Sequence, residues 1–257
     1  LSSPNGSEKI IYKWPEGIFP DISQKELKEY RSLFDRSFNE NHLFVIGINK
    51  KVSNNGSTNF FNSLSVYDNE LNILDSYDKV NLVPFGEFLP FENILKVMGL
   101  RSLTNNYQSF SKGKKRELIE IEHGNFTLKI LTLICYEIIY SGRLFKSSSY
   151  DFIINISEDG WFGKSIGPKQ HFDHSIFRAI ETGKYILRSS NNGIAAIINP
   201  IGIVEQSVDF GESGYVDLVK TREIQPTIFS KYGNKFFGLL TLLYILLIFS
   251  FIRIKNE

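Results

Sequence analysis

The chain has 257 residues, which is enough to bury a sizeable core in one main domain. Its 29 Lys and Arg nearly balance 28 Asp and Glu, and a net charge of +1 gives no electrostatic case for a nucleic-acid partner. The single cysteine excludes an intrachain disulfide and a Cys-rich zinc site. Cys135 is therefore either a small buried side chain or a reactive thiol.

The N-terminal half is predicted to contain strands around one helix. A strand at "IIYK" ends at Pro15 and Gly17, and the amphipathic stretch 21–41 predicts a helix. A strand at "HLFVIGI" follows, and "FFNSLSVYD" and "NILDSYDKV" are predicted to form a hairpin.

The segment 91–110 departs from the strand pattern. Phe91, Ile94, Leu95 and Met98 lie at i, i+3, i+4 and i+7, the spacing of one apolar helical face. Such a helix either lies at a membrane interface or closes over an acyl chain, or else packs on the core, and periodicity alone does not decide between these roles.

The second half predicts a layered α/β fold. A hairpin at "ELIEIEH" and "FTLKILTLIC" precedes a strand at "DFIINIS", a helix over 171–182, and strands at "YILRSS" and "GIAAIINP". The stretches "IVEQSV" and "GYVDLV" indicate a closing hairpin.

The stretch Phe236–Ile252 contains seventeen residues without a charge. This is at the short limit for crossing a hydrocarbon core of about 30 Å, and the segment lacks the polar stripe of a core helix. It is predicted to be a transmembrane helix. Because basic residues flank both ends, charge does not decide its orientation.

Three predicted strands end in a polar residue that could take part in chemistry: Glu16, Lys79 and Cys135. Ligands tend to bind at strand ends in α/β folds. A thiol becomes a nucleophile when a base removes its proton, and a carboxylate and a lysine can supply the base and the oxyanion partner. Taken singly, however, a packed cysteine, a solvated lysine and a capping glutamate are the more common roles.

The motifs around these residues point to one family. "WPEG", "KVNLVPFGEFLP", "ICYEI" and "DGWFG" occur in this order and together resemble the nitrilase (carbon–nitrogen hydrolase) superfamily. "IGPKQHF", "RAIETG" and "LRSSNNGIAAIINPIG" are similar to its apolipoprotein N-acyltransferase branch. The resemblance implies a nitrilase-like α-β-β-α sandwich over residues 1–230, followed by a C-terminal transmembrane helix and tail over 231–257.

The resemblance also implies roles for individual residues. Glu16 matches the family's general base, Lys79 its lysine and Cys135 its nucleophile. Supporting roles fall to Glu87, Tyr136 and Glu137, although Glu137 could equally form a structural salt bridge inside the fold. The resemblance implies substrate contacts from Trp161, with an aromatic core anchor as the alternative, and the apolar face of the predicted 91–110 helix adds Leu95 and Met98 as expected substrate contacts.

Two departures from the family pattern stand out. Glu158 occupies a position where the family commonly has Asn, so any polar role of that asparagine is not carried over. Only nine residues precede Ile10, whereas family members have membrane helices and further structure before this domain. We therefore expect the chain to be a C-terminal piece of a longer protein.

The resemblance implies acyl transfer at a bacterial inner membrane, with the catalytic domain on the periplasmic side. A fatty acyl group would pass from a phospholipid to Cys135 and then to the α-amino group of a diacylglyceryl-modified lipoprotein, without metal or cofactor. One alternative is a nitrilase-type amidase that hydrolyses a small amide with the same triad, for which the apolar helix has no use. Another is a membrane-tethered binding module without catalysis.

Overall fold

The computed structural model describes residues 8–34, 36–54, 56–91, 109–142, 144 and 149–256. Within these ranges the chain forms two β-sheets of four and six strands, which pack face to face. The strands are β1 Ile10–Lys13, β2 His42–Asn54, β3 Ser57–Tyr67, β4 Ile73–Asp78, β5 Leu118–His123, β6 Phe126–Ile134, β7 Phe152–Glu158, β8 Ile186–Asn191, β9 Ala195–Ile198 and β10 Val204–Val208. The helices are α1 Arg31–Phe34, α2 Gly167–Thr182, α3 Ile228–Tyr232 and α4 Asn234–Asn256.

The first sheet has the order β1-β2-β3-β4, with β1 parallel to β2 and the other pairs antiparallel. The second has the order β10-β9-β8-β7-β6-β5, with a parallel centre formed by β6, β7 and β8. Both predicted hairpins of the first 135 residues, β3–β4 and β5–β6, are confirmed.

Strand β2 is an example of a strand with a continuous apolar sequence, because both of its faces are buried. Leu43 and Val45 point into the core between the sheets, whereas Phe44 and Ile46 pack on the opposite face against the N-terminal segment. Helix α2 covers the outer face of the second sheet. Both faces of each sheet are therefore buried, and the predicted α-β-β-α sandwich is confirmed.

Two sequence predictions were wrong. Instead of one helix over 21–41, a 3₁₀ helix at Glu26–Tyr30 leads into the short α1, and only Leu27 and Phe34 of the segment's apolar residues are fully buried. The stretch 214–219 does not form a strand with β10, because the Gln206 side chain bonds both backbone groups of Asp217 in place of a ladder.

Helix α4 contains the predicted apolar segment. Asn234–Ile252 has a mean hydropathy of 2.2 and none of it is buried against the rest of the described chain. By length and composition this helix can cross a membrane. In the segment 91–110, Phe91 is exposed, while Ile94, Leu95 and Met98 lie outside the described residues.

Candidate active site

The fold brings the three polar strand ends together between the two sheets. Glu16 follows β1, Lys79 follows β4, and Cys135 follows β6 of the other sheet. Gly47 in β2 makes this approach possible, because a Cβ there would lie 2.6 Å from the Glu16 Cα and 2.7 Å from Ile156 Cδ1. Any side chain at residue 47 would push the Glu16 segment away.

Lys79 lies between two carboxylates although its side chain is only 1% exposed. Its Nζ is 2.9 Å from Glu87 Oε1 and 3.5 Å from Glu16 Oε1. Asn62 Nδ2 donates to the same two oxygens, at 2.5 Å to Glu16 and 2.7 Å to Glu87. Glu87 therefore anchors Lys79, while Asn62 holds the Glu16 carboxylate beside the lysine. Sequence reasoning missed Asn62, because it lies in the middle of β3 with no motif around it.

Burial would lower the pKa of Lys79, but Glu16, Cys135 and Glu87 outweigh burial and hold that pKa above its ordinary value. Lys79 is therefore a permanent cation. Burial and the Glu16 charge raise the pKa of the Cys135 thiol to about 12, against the opposing effect of Lys79. At neutral pH the resting site therefore holds a thiol beside a carboxylate.

Cys135 begins a 3₁₀ helix that runs to Ile139 and has a backbone φ of +47°. L-residues rarely adopt this left-handed conformation, and it persists only where the surroundings hold it. A sharp turn from strand into helix at such a residue places its side chain at the end of the sheet, within reach of the charges of Glu16 and Lys79.

Glu137 is fully buried and joins the two halves of the site. Its Oε1 accepts from the Val80 and Asn81 backbone N–H groups at 3.0 Å and from the Tyr77 hydroxyl at 2.8 Å, and its Oε2 accepts from the Ile134 N–H at 3.0 Å. The carboxylate thus ties the residues after Lys79 to the turn of Cys135. It also pairs with Arg116 at 3.3 Å, so the expected internal salt bridge is present.

Replacing Glu137 by Gln is expected to destabilise the fold by about 3 kcal/mol, since the neutral amide leaves the partly buried Arg116 without its counter-charge. Thermal unfolding of this variant measures the loss. The matched control is Glu122→Gln on the exposed face of β5, which should melt within about 0.5 kcal/mol of the parent. If Glu137→Gln and Glu122→Gln had equal melting temperatures, Glu137 would not be the residue that ties the segment after Lys79 to the Cys135 turn.

Tyr136 and Trp161 have different environments. Tyr136 is half-buried, with its ring edge-on to Tyr140 at 5.6 Å between centroids. Trp161 is 80% exposed, which excludes the alternative of an aromatic core anchor. Leu95 and Met98 lie outside the described residues.

Glu158 contributes through both its backbone and its side chain. Its N–H donates to Glu16 Oε2 at 2.8 Å, a contact that any residue type can make. Its carboxylate accepts from Gly160 N at 2.7 Å and from the Asn191 and Asn192 side chains at 2.5 and 3.1 Å. The departure from Asn therefore leaves the hydrogen bond to Glu16 intact.

A groove of mixed apolar and polar lining begins at Val80, the residue after Lys79. As bounded by the described residues its volume is about 320 Å³, within the range of small-ligand sites. It is lined by Val80, Asn81, Leu82, Phe88, Phe110, Lys112 and Tyr140.

The fold and the site define a class: an α-β-β-α sandwich with a buried cysteine, lysine and glutamate at its strand ends. The sequence pattern of the carbon–nitrogen hydrolases matches residues 15–227, and the chain belongs to this family. A yeast protein of branch 10 of the nitrilase superfamily, from Saccharomyces cerevisiae, superimposes with a TM-score of 0.53 and 16% identity over 79% of this chain and 73% of its own. That likeness shows the shared fold.

Curated relatives are more similar in sequence. An apolipoprotein N-acyltransferase of Bradyrhizobium diazoefficiens is 33% identical over 230 residues, covering 88% of this chain and 42% of the relative. One from Rickettsia prowazekii is 37% identical over 247 residues, covering 94% and 47%. The chain thus spans less than half the length of these relatives.

Proposed function

We propose that this chain carries out thiol-dependent acyl transfer, from a phospholipid to the α-amino group of a diacylglyceryl-modified cysteine at the N-terminus of a lipoprotein. The observation that carries the proposal is the buried cluster of Glu16, Lys79 and Cys135 in the same chain as an exposed apolar helix. Residues 1–230 would form the catalytic domain and 231–257 its membrane helix and tail, at a bacterial inner membrane with the domain on the periplasmic side.

In the first step the Cys135 Sγ attacks the ester carbonyl of the phospholipid while Glu16 takes the thiol proton. The transfer accompanies the attack because a thiol with a pKa of about 12 offers almost no preformed thiolate. The new oxyanion binds Lys79 Nζ and the backbone N–H of Tyr136. The C–O bond then breaks, the leaving oxygen receives the proton from Glu16, and a lysophospholipid departs from the thioester.

The second step reverses these roles. The neutral α-amine of the acceptor attacks the thioester carbonyl and gives a proton to Glu16. The C–S bond breaks, and the departing sulfur recovers that proton as a thiol. Glu87 pairs with Lys79, and Asn62 donates hydrogen bonds to Glu16 and to Glu87. These two residues therefore hold Lys79 and Glu16 in place during both steps.

Trp161 is proposed to contact the acyl chain or its lipid surroundings. Changing Trp161 to Ser should slow acylation by phospholipid vesicles several-fold while acylation by a short water-soluble ester stays near the parent rate, because an apolar side chain that is 80% exposed contributes little to the fold. The control is Tyr215→Ser, an exposed aromatic after β10. Equal losses with both donors, or an equal effect of the control, would contradict the assignment.

Transfer and hydrolysis are separated by the acceptor. The full chain in phospholipid vesicles is offered a synthetic diacylglyceryl-cysteine peptide with a free α-amine, and the same peptide with that amine acetylated. We expect lysophospholipid release coupled to N-acylation of the free amine alone. Release of ammonia from small amides, without any N-acylated peptide, would instead identify an amidase.

A further inference from the structure

A buried polar network lies behind the Cys135 turn, and the acyl-transfer steps above do not use it. His171 Nδ1 is 2.8 Å from Asp159 Oδ1, and His171 Nε2 is 3.1 Å from the Cys135 carbonyl oxygen. Asp159 Oδ2 accepts from Arg188 Nη2 at 2.7 Å. The exposed fractions of His171, Asp159 and Arg188 are 4%, 0% and 0%. Because burial makes unmatched polar atoms costly, each atom's role follows from its neighbour.

The hydrogen on His171 Nε2 can be assigned from its neighbour. The Cys135 carbonyl oxygen can only accept, so Nε2 must carry a hydrogen and donate it. Burial would raise the pKa of Asp159, but the bond from His171 and the charge of Arg188 outweigh burial and hold that pKa well below its usual range. His171 Nδ1 lies between this carboxylate at 2.8 Å and Arg188 Nη2 at 3.3 Å, while Nε2–H is committed to the Cys135 carbonyl.

The contact with Cys135 acts on a peptide group that the reaction uses. The Cys135 carbonyl and the Tyr136 N–H belong to one trans peptide, in which the two bonds point in opposite directions. Fixing the carbonyl toward His171 thus fixes the N–H toward the other side. A hydrogen bond to the carbonyl oxygen also polarises the peptide and makes its N–H a stronger donor.

We propose that His171 is a positioning residue for acyl transfer: it orients and polarises the Tyr136 N–H, through the Cys135 carbonyl, as a donor to the oxyanion. The inference rests on the proposed function. It predicts that His171 matters for reactions of Cys135 that form a tetrahedral oxyanion and not for those that form none. A purely structural His171 would affect both alike.

The test compares two reactions of the same thiol in the full chain, in phospholipid vesicles. His171→Phe keeps a ring but removes both ring nitrogens, and His171→Gln keeps an N–H that can reach the carbonyl. For the phenylalanine variant we expect acylation of Cys135 by phospholipid to slow about tenfold to a hundredfold. Alkylation of Cys135 by iodoacetamide, a direct displacement without an oxyanion, should stay within about threefold of the parent rate. The glutamine variant should recover most of the acylation.

Asp159, which His171 contacts, is among the groups that raise the thiol pKa, so the thiol pKa of each variant is read from the pH dependence of its alkylation. Equal slowing of acylation and alkylation, or a glutamine variant as slow as the phenylalanine variant, would overturn the inference. If His171→Phe does not fold, His171→Met fills the space without a donor and is compared in the same way. A parent chain that alkylates normally but never acylates would instead contradict the proposed function.

Discussion

Replacing Cys135 by Ala is expected to reduce acyl transfer by a factor on the order of 10⁶, because no other group can form the thioester. Cys135→Ser should leave little activity, since a serine hydroxyl is far harder to deprotonate than the thiol that Glu16 faces. Initial rates of lysophospholipid release from vesicles measure both effects. If Cys135→Ala has the melting temperature of the parent, its loss of activity comes from the chemistry and not from the fold. Turnover near the parent rate would contradict the assignment of Cys135 as the nucleophile.

Replacing Glu16 by Gln is expected to slow thioester formation about 10²- to 10⁴-fold, because the amide cannot accept the thiol proton. The Glu16 charge raises the pKa of Cys135, so its removal should lower that pKa. The variant should therefore alkylate with iodoacetamide at least as fast as the parent while failing to acylate. Rates of the two reactions, measured side by side at pH 7, separate a general base from a group that only shapes the site.

The matched control for this experiment is Glu212→Gln, an exposed glutamate after β10. It should change neither rate. If Glu16→Gln slowed alkylation and acylation equally, Glu16 would be a structural partner of Lys79 and Asn62. If it acylated at the parent rate, another base would have to be found.

The fold was largely predictable because the strands bury both faces. A continuous apolar run, such as the one that contains Phe44 and Ile46, indicates a strand that is buried on both faces. The Gly-Asn and Asn-Glu pairs indicate the turns of the two hairpins. The prediction for 21–41 was wrong because the apolar side chains of this segment follow helical spacing. The segment instead packs on the first sheet as a 3₁₀ helix followed by a short α-helix. The prediction for 214–219 was wrong because a strand-like composition does not reveal the hydrogen bonds that form. The Gln206 side chain bonds the backbone of this stretch where a second strand would form a hydrogen-bond ladder.

The candidate site was predictable only where a motif surrounded the residue. Glu16, Lys79 and Cys135 interrupt apolar strands, so they could be singled out before the structure was known. Asn62 could not, because its importance comes from a contact across 46 residues of sequence, and the motif "IGPKQHF" around His171 does not reveal the contact that this residue makes with Cys135 across 36 residues. For His171 the available signal was a buried polar residue on a helix face, and the sequence does not distinguish such a residue from an ordinary core histidine.

The measurement that tests the account most directly is the mass of the Cys135 peptide after the full chain has been incubated with vesicles of a single defined phospholipid. We predict an increase equal to the acyl group minus one hydrogen, on Cys135 alone, removed by neutral hydroxylamine and absent in Cys135→Ala. Transfer of the acyl group to the acceptor peptide with Cys135 unmodified at every time point, or with the adduct on another residue, would contradict the account.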